Sequence, residues 1–212
     1  MKSTRNHSAP AAPFRGSSAT GPVKWWHGAL FLAAVTGLSS LAFVATSRRK
    51  QDDFYENEHL PVWAPPGWVF APAWLLINTA LVSGSVRLLN APPFPNRGLL
   101  RGLHTLMWLD FVTYGVVFFK LRSQILSHVW TLSSVAFAYT GIGLARTYDR
   151  RIMASMVPLA AWATYASSLT WYQVLANPDP FFGTPALLRP VKPGGETARR
   201  DLSAAGQALA EA

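Results

Sequence analysis

A chain of 212 residues is long enough for one or two soluble domains. Half of its residues are apolar, nine are tryptophan and only 14% are charged, whereas a soluble domain carries about 25% charge. The net charge of +9 does not indicate nucleic acid, because no basic stripe alternates with polar or aromatic residues over a foldable segment. Lys and Arg instead flank long apolar runs, the placement expected opposite anionic headgroups. The absence of cysteine excludes disulfides, thiolate metal sites and a thiol nucleophile, and leaves the redox compartment unreadable.

Residues 1–23 carry Arg, Lys, Ser and Thr and no acid, and read as a disordered basic tail. A plain tail on a bacterial membrane protein is preferred over an organellar transit peptide. A cleaved signal peptide fits less well, since no small-x-small site closes the apolar run. The first span covers residues 25–46, with His27 its single ionisable group. Loop one, residues 47–66, mixes three basic and four acidic residues before a WAPPGW turn. The second span, residues 67–86, has no charge. Loop two, residues 87–98, contains three prolines that block helix continuation. The third span, residues 99–121, holds Arg101, His104, Asp110 and Lys120; the fourth covers 125–145 and the fifth 152–176. Each approaches the ~20 apolar residues that cross a bilayer, and Pro72 and Pro158 are tolerable because neighbouring helices re-satisfy freed carbonyls. Residues 177–212 read as a polar tail, disordered or lying on the surface. The expected fold is all-α: a five-transmembrane-helix bundle, residues 24–176, in a multi-pass protein of a bacterial inner or outer membrane or an organellar one. Orientation is open, since the two sides collect ten and nine Lys and Arg.

The tryptophans divide into two groups. Trp25, Trp26 and Trp171 lie at span ends, where indoles commonly anchor in the headgroup layer. Trp63, Trp68 and Trp74 fall within twelve residues stiffened by Pro65, Pro66 and Pro72, the make-up of a rigid aromatic lid over a bundle mouth. Phe70, Trp74, Asn78 and Leu81 share one helix face, as do Pro158, Trp162, Tyr165 and Leu169. Core packing and a ligand pocket both fit these stripes. Asp110 is a mid-span carboxylate, costly in lipid and so expected to face a cavity or a partner; Tyr114, four residues on, could donate to it. His104 and His128 have no second ligand nearby, so no metal site is expected. Ala33 with Gly37, Ala80 with Gly84, and Gly141 with Ala145 permit close helix approach, inside the bundle or in a homodimer.

Tyr55, Pro61, Trp63, Pro65, Pro66, Trp68, Pro72 and Trp74 stand in the run YENEHLPVWAPPGWVFAPAW. This run resembles the signature of the TspO/MBR family, the translocator or tryptophan-rich sensory proteins. Pro158, Trp162, Tyr165, Ala166 and Leu169 are similar to the family's fifth-span motif. The resemblance spans about residues 30–176. It departs in the third span, where Met107, Phe111 and Tyr114 replace the family's Gln, Asn and Trp, and at Ile77, Asn78, Leu81, Val82 and Thr170. The resemblance implies that Trp74 and Trp162 flank a bound tetrapyrrole. The candidate ligand-binding set is therefore Tyr55, Trp63, Trp68, Trp74, Asn78, Asp110, Tyr114, Trp162 and Tyr165, with no catalytic and no metal-binding residue. The implied function is binding of porphyrin or heme, or of sterol-like lipids, for transport, sensing or scavenging, with no required cofactor. The implied partners are that ligand and membrane lipids, with no nucleic acid. Light-dependent oxidation of bound porphyrin and a scaffold without such a ligand are the alternatives.

Overall fold

The computed structural model describes residues 22–44 and 58–188, without the side chains of 41–44; Tyr55 lies outside the described residues. Five helices follow the apolar runs: α1 (Trp25–Val44), α2 (Phe70–Asn90), α3 (Arg97–Gly115), α4 (Gln124–Ala145) and α5 (Arg150–Ala176). A 3-10 turn, Gly67–Val69, leads into α2, and a π-helical turn, Val116–Lys120, extends α3. Among the described residues, four helical stretches are long and apolar enough to cross a membrane: Gly67–Asn90, Arg97–Lys120, Gln124–Ala145 and Arg150–Ala176. The fifth helix, α1, has 20 residues, about 30 Å at 1.5 Å per residue.

Local chemistry sets the helix ends. Pro72 occupies the first turn of α2, where a backbone N–H would have no intrahelical acceptor. Asn96, in the left-handed conformation at φ 62°, reverses the chain into α3. The Ser123 hydroxyl accepts from the Leu126 amide at the start of α4, and Asp149 caps α5 through the amides of Arg151 and Ile152. Helix α2 runs four residues beyond the expected span. Its added Arg87 is held by Asp149 at 2.5 Å, which lets a charge sit in the last turn of a span.

In the bundle, α1 packs on α2 and α3, α2 on α5, α5 on α4, and α4 on α3. Glycine decides two of these approaches. A Cβ on Gly84 would lie 1.9 Å from the Ser155 hydroxyl, and one on Gly141 would lie 2.5 Å from the Met156 sulfur. Both glycines therefore serve packing within the bundle, whereas Gly37 faces open space. Leu81, Leu88, Leu100, Ile152 and Met156 fill the core, but many apolar side chains are turned outward: Leu75 and Leu76 are each 65% exposed, and Leu30, Leu99, Leu109 and Leu132 are exposed too. Asn78, Gln124, Ser127, Thr131, Ser155, Thr170 and Gln173 are buried. Such a surface would be costly in water but suits lipid, which is as apolar as leucine itself.

The chain stays with the bundle after α5. Residues 178–188 are mostly exposed and lie on the surface of the bundle, held by the buried side chains of Asn177 and Asp179. Asn177 clasps the backbone of His59 in both directions, donating at 3.1 Å and accepting at 2.7 Å. Asp179 accepts from the Ser123 hydroxyl and from the amides of Ile125, Phe181 and Phe182. Burial alone would raise this carboxyl, but these four hydrogen bonds hold it below the usual carboxylate range.

Candidate functional site

Alternation of the helices gives the bundle two ends. The loop-one end gathers the start of α2, the end of α3, the start of α4 and the end of α5. The opposite end gathers the start of α1, loop two and the α4–α5 turn.

At the loop-one end, Phe70 and Trp74 project from one face of α2, and Trp162 and Tyr165 from α5. Phe70 meets Trp162 edge to face at 5.5 Å, Trp162 meets Tyr165 at 5.8 Å, and Trp74 meets Phe111 of α3 at 5.1 Å. These distances are those of attractive aromatic pairs. Trp63 of loop one is fastened to α5 at three points. Its carbonyl accepts from the Tyr165 hydroxyl at 2.7 Å, its indole N–H donates to Ser168 at 3.3 Å, and its ring lies edge-on to Tyr172 at 6.0 Å. The proline-stiffened segment is thus strapped across the mouth between α2 and α5. Below the strap, Asn78 is buried and its side-chain carbonyl has no hydrogen-bond partner.

Glu58 enters the same end from the other direction. Burial pushes its carboxyl up to about 7, against the opposing influences of Gln124 and of Arg122.

Of the expected set, the structure links Trp63, Tyr165 and Trp162 in sequence, while Trp74 stands one turn from Phe70 on α2 and packs on Phe111, with Asn78 one turn below it. It does not bring in Trp68, which is 74% exposed. Asp110 turns away from Trp74: its two oxygens accept from Ser133 and Ser134 on α4, and the next residue, Phe111, is the one that faces α2. The hydroxyls beside Asp110 are therefore those of α4 serines, while the Tyr114 ring stacks on Phe118 at 6.0 Å. Phe70 and Phe111 belong to the aromatic group and were not among the expected residues. Phe70 was legible as part of the α2 stripe. Phe111 stands at one of the third-span departures, so the resemblance drew attention away from it.

A second feature lies at the opposite end. A cavity of about 360 Å³ opens between α1, α2 and α3, lined by His27, Phe31, Val82, Ser85, Arg101, His104 and Trp108 among others. Phe31 and Trp108 meet edge to face at 5.0 Å on its wall. Ser85 organises the polar part. Its hydroxyl donates to the Leu81 carbonyl, so its oxygen accepts both from the Trp108 indole N–H at 3.2 Å and from His104 Nδ1–H at 3.0 Å. In the neutral ring this leaves Nε2 of His104 as an acceptor, buried and without a partner. Arg101, His104, Thr105 and Trp108 recur on one face of α3, and that spacing was the readable sign of this wall. No group of three metal-ligating side chains occurs among the described residues.

The profile of the TspO/MBR family matches residues 29–175, more than half of the chain. None of the curated proteins compared matches it. The match takes in all five helices almost from end to end, together with loop one and the strapped aromatic group. The chain belongs to the TspO/MBR family, as an integral membrane protein of five helices.

Proposed function

We propose that the loop-one end receives a flat apolar ligand, a porphyrin or heme or a sterol-like lipid, and that the protein serves its transport, sensing or scavenging. The observation that carries this reading is the aromatic face of α2, Phe70 with Trp74, meeting Trp162 of α5 through Phe70 beside the strap that Trp63 makes with α5. Two features suit a planar guest. Large rings contribute contact area at little rotamer cost, and the unpartnered Asn78 carbonyl offers one polar anchor within an apolar wall. The rings now rest on each other, so entry separates these aromatic pairs and requires the strap to lift. Release of Trp63 from Tyr165 and Ser168 is the step that opens the mouth. The groups facing such a guest are aromatic rings and the Asn78 amide, so the protein's part is binding and orientation, and any chemistry would come from the ligand.

The test is titration of protoporphyrin IX into the detergent-solubilised chain, followed by the Soret shift. Trp74→Ala and Trp162→Ala should each weaken binding by about several-fold to a hundred-fold, from lost stacking and contact area. Trp25→Ala, at an exposed helix start, should leave affinity unchanged. Equal affinities in all three variants would place the ligand elsewhere.

A further inference from the structure

The end opposite loop one is strongly and one-sidedly basic. Among the described residues, Lys24, Arg87, Arg97, Arg101, Arg146, Arg150 and Arg151 lie there against a single acid, Asp149, which Arg87 already engages. The chain before α1, residues 1–23, contains no acid at all. Two of these cations are forced together. Arg97 and Arg101 each donate one N–H to the same carbonyl, that of Leu89, at 3.1 Å, and their like charges repel. Arg87–Asp149 is the one ion pair among the described residues. The guanidiniums of Arg97 and Arg101 are thus drawn to one backbone oxygen, with no carboxylate among the described residues to balance them, although each has five N–H donors.

Arg101 also lines the α1–α2–α3 cavity, as does Leu89. Inward from this cationic rim the wall is mostly apolar and aromatic, with Val82, Val86, Phe31 and Trp108 around the hydrogen-bonded pair of Ser85 and His104. A Cβ on Gly28 would sit 2.9 Å from Val86, so the glycine allows α1 to close on α2 and makes one side of the slot. Trp25, 79% exposed, and Trp26 flank the same end, which puts the rim at the headgroup layer. A molecule suited to this slot has an apolar body that enters between helices and an anionic group that stays at the rim. At that depth, anionic lipid is the membrane component with this form.

We propose that the α1–α2–α3 cavity is a second site, separate from the loop-one end, that holds one anionic lipid. Its acyl portion lies between Phe31, Val82, Val86 and Trp108, and its headgroup lies on Arg97 and Arg101. The lipid supplies the negative charge that this end of the chain lacks, and it braces α1 against α2 and α3.

The experiment is native mass spectrometry of the full chain, released from neutral detergent after incubation with equal amounts of phosphatidylglycerol and phosphatidylcholine of the same acyl chains. The unmodified chain should retain one phosphatidylglycerol in preference to phosphatidylcholine. Each basic side chain near a lipid surface contributes about a factor of five, so the two arginines together give roughly thirtyfold. The double variant Arg97→Gln/Arg101→Gln should lose most of that preference. Thr105→Trp, at an exposed position on the cavity mouth, should lose the retained lipid by filling the space. Trp162→Ala, at the other end of the bundle, should retain it. Equal retention of the two lipids by the unmodified chain would overturn the proposal. So would an undiminished preference in the double variant, unchanged retention in Thr105→Trp, or loss of the lipid in Trp162→Ala.

Discussion

Glu58 shows how a single side chain can make the loop-one end sensitive to pH. Its carboxyl is pushed up to about 7 by burial, which outweighs Gln124 and Arg122. The packed arrangement therefore binds a proton more tightly than the open chain does. Its stabilising contribution is complete below the ordinary carboxylate range and is lost as pH rises through about 7. The thermal midpoint in detergent should accordingly fall between pH 5 and pH 8, and Glu58→Gln should remove most of that fall. An equal fall in the variant would show that another group is responsible. At this scale the sequence was informative where chemistry is local. A motif and the helix faces single out Trp63, Trp74, Trp162 and Tyr165, and three of them, Trp63, Tyr165 and Trp162, touch in sequence. It was mute where a role depends on distant partners. Nothing near His104 in the chain announces that Ser85, nineteen residues away, fixes its tautomer, and nothing near Asp110 announces the serines of α4. Trp68 stands in the same motif as Trp63, yet its ring is exposed whereas Trp63 is tied to α5.

Helix positions were legible because lipid demands long uncharged runs, and a run of that length has few other readings. Ends were less so. Arg87 and Arg97 looked like loop residues, but Asp149 and the Leu89 carbonyl allow them into the last and first turns of α2 and α3. Residues 177–188 looked like a tail because the partners of Asp179 lie more than fifty residues earlier. Small-residue pairs marked contact faces without saying which were used. Gly84 is the decisive one, since any Cβ there collides with both the Oγ and the Cβ of Ser155. Gly84→Ala should separate α2 from α5 and destabilise the bundle by about 1–3 kcal/mol, with partial rescue by Ser155→Gly. Gly37→Ala, in open space, should leave the melting curve unchanged. Equal melting of the two glycine variants would mean that α2 and α5 do not approach as closely as described.

The whole molecule differs from a soluble domain in its surface, where many leucines are exposed, while its interior combines an apolar core with buried hydroxyls and amides. It also differs from end to end. One end is an aromatic mouth closed by a strap, and the other is a basic rim above a slot. The family match covers both ends and does not distinguish them, and the charge asymmetry emerges once each loop is assigned to its end. The central claim is that the strapped end receives the flat ligand. Hydrogen–deuterium exchange of the detergent-solubilised chain, with and without protoporphyrin IX, tests it most directly. Ligand should slow exchange in residues 58–70 and 162–172, where the strap meets α2 and α5, and leave residues 23–31 and 97–108 unchanged. Protection confined to those latter segments, or absent from both, would contradict the account.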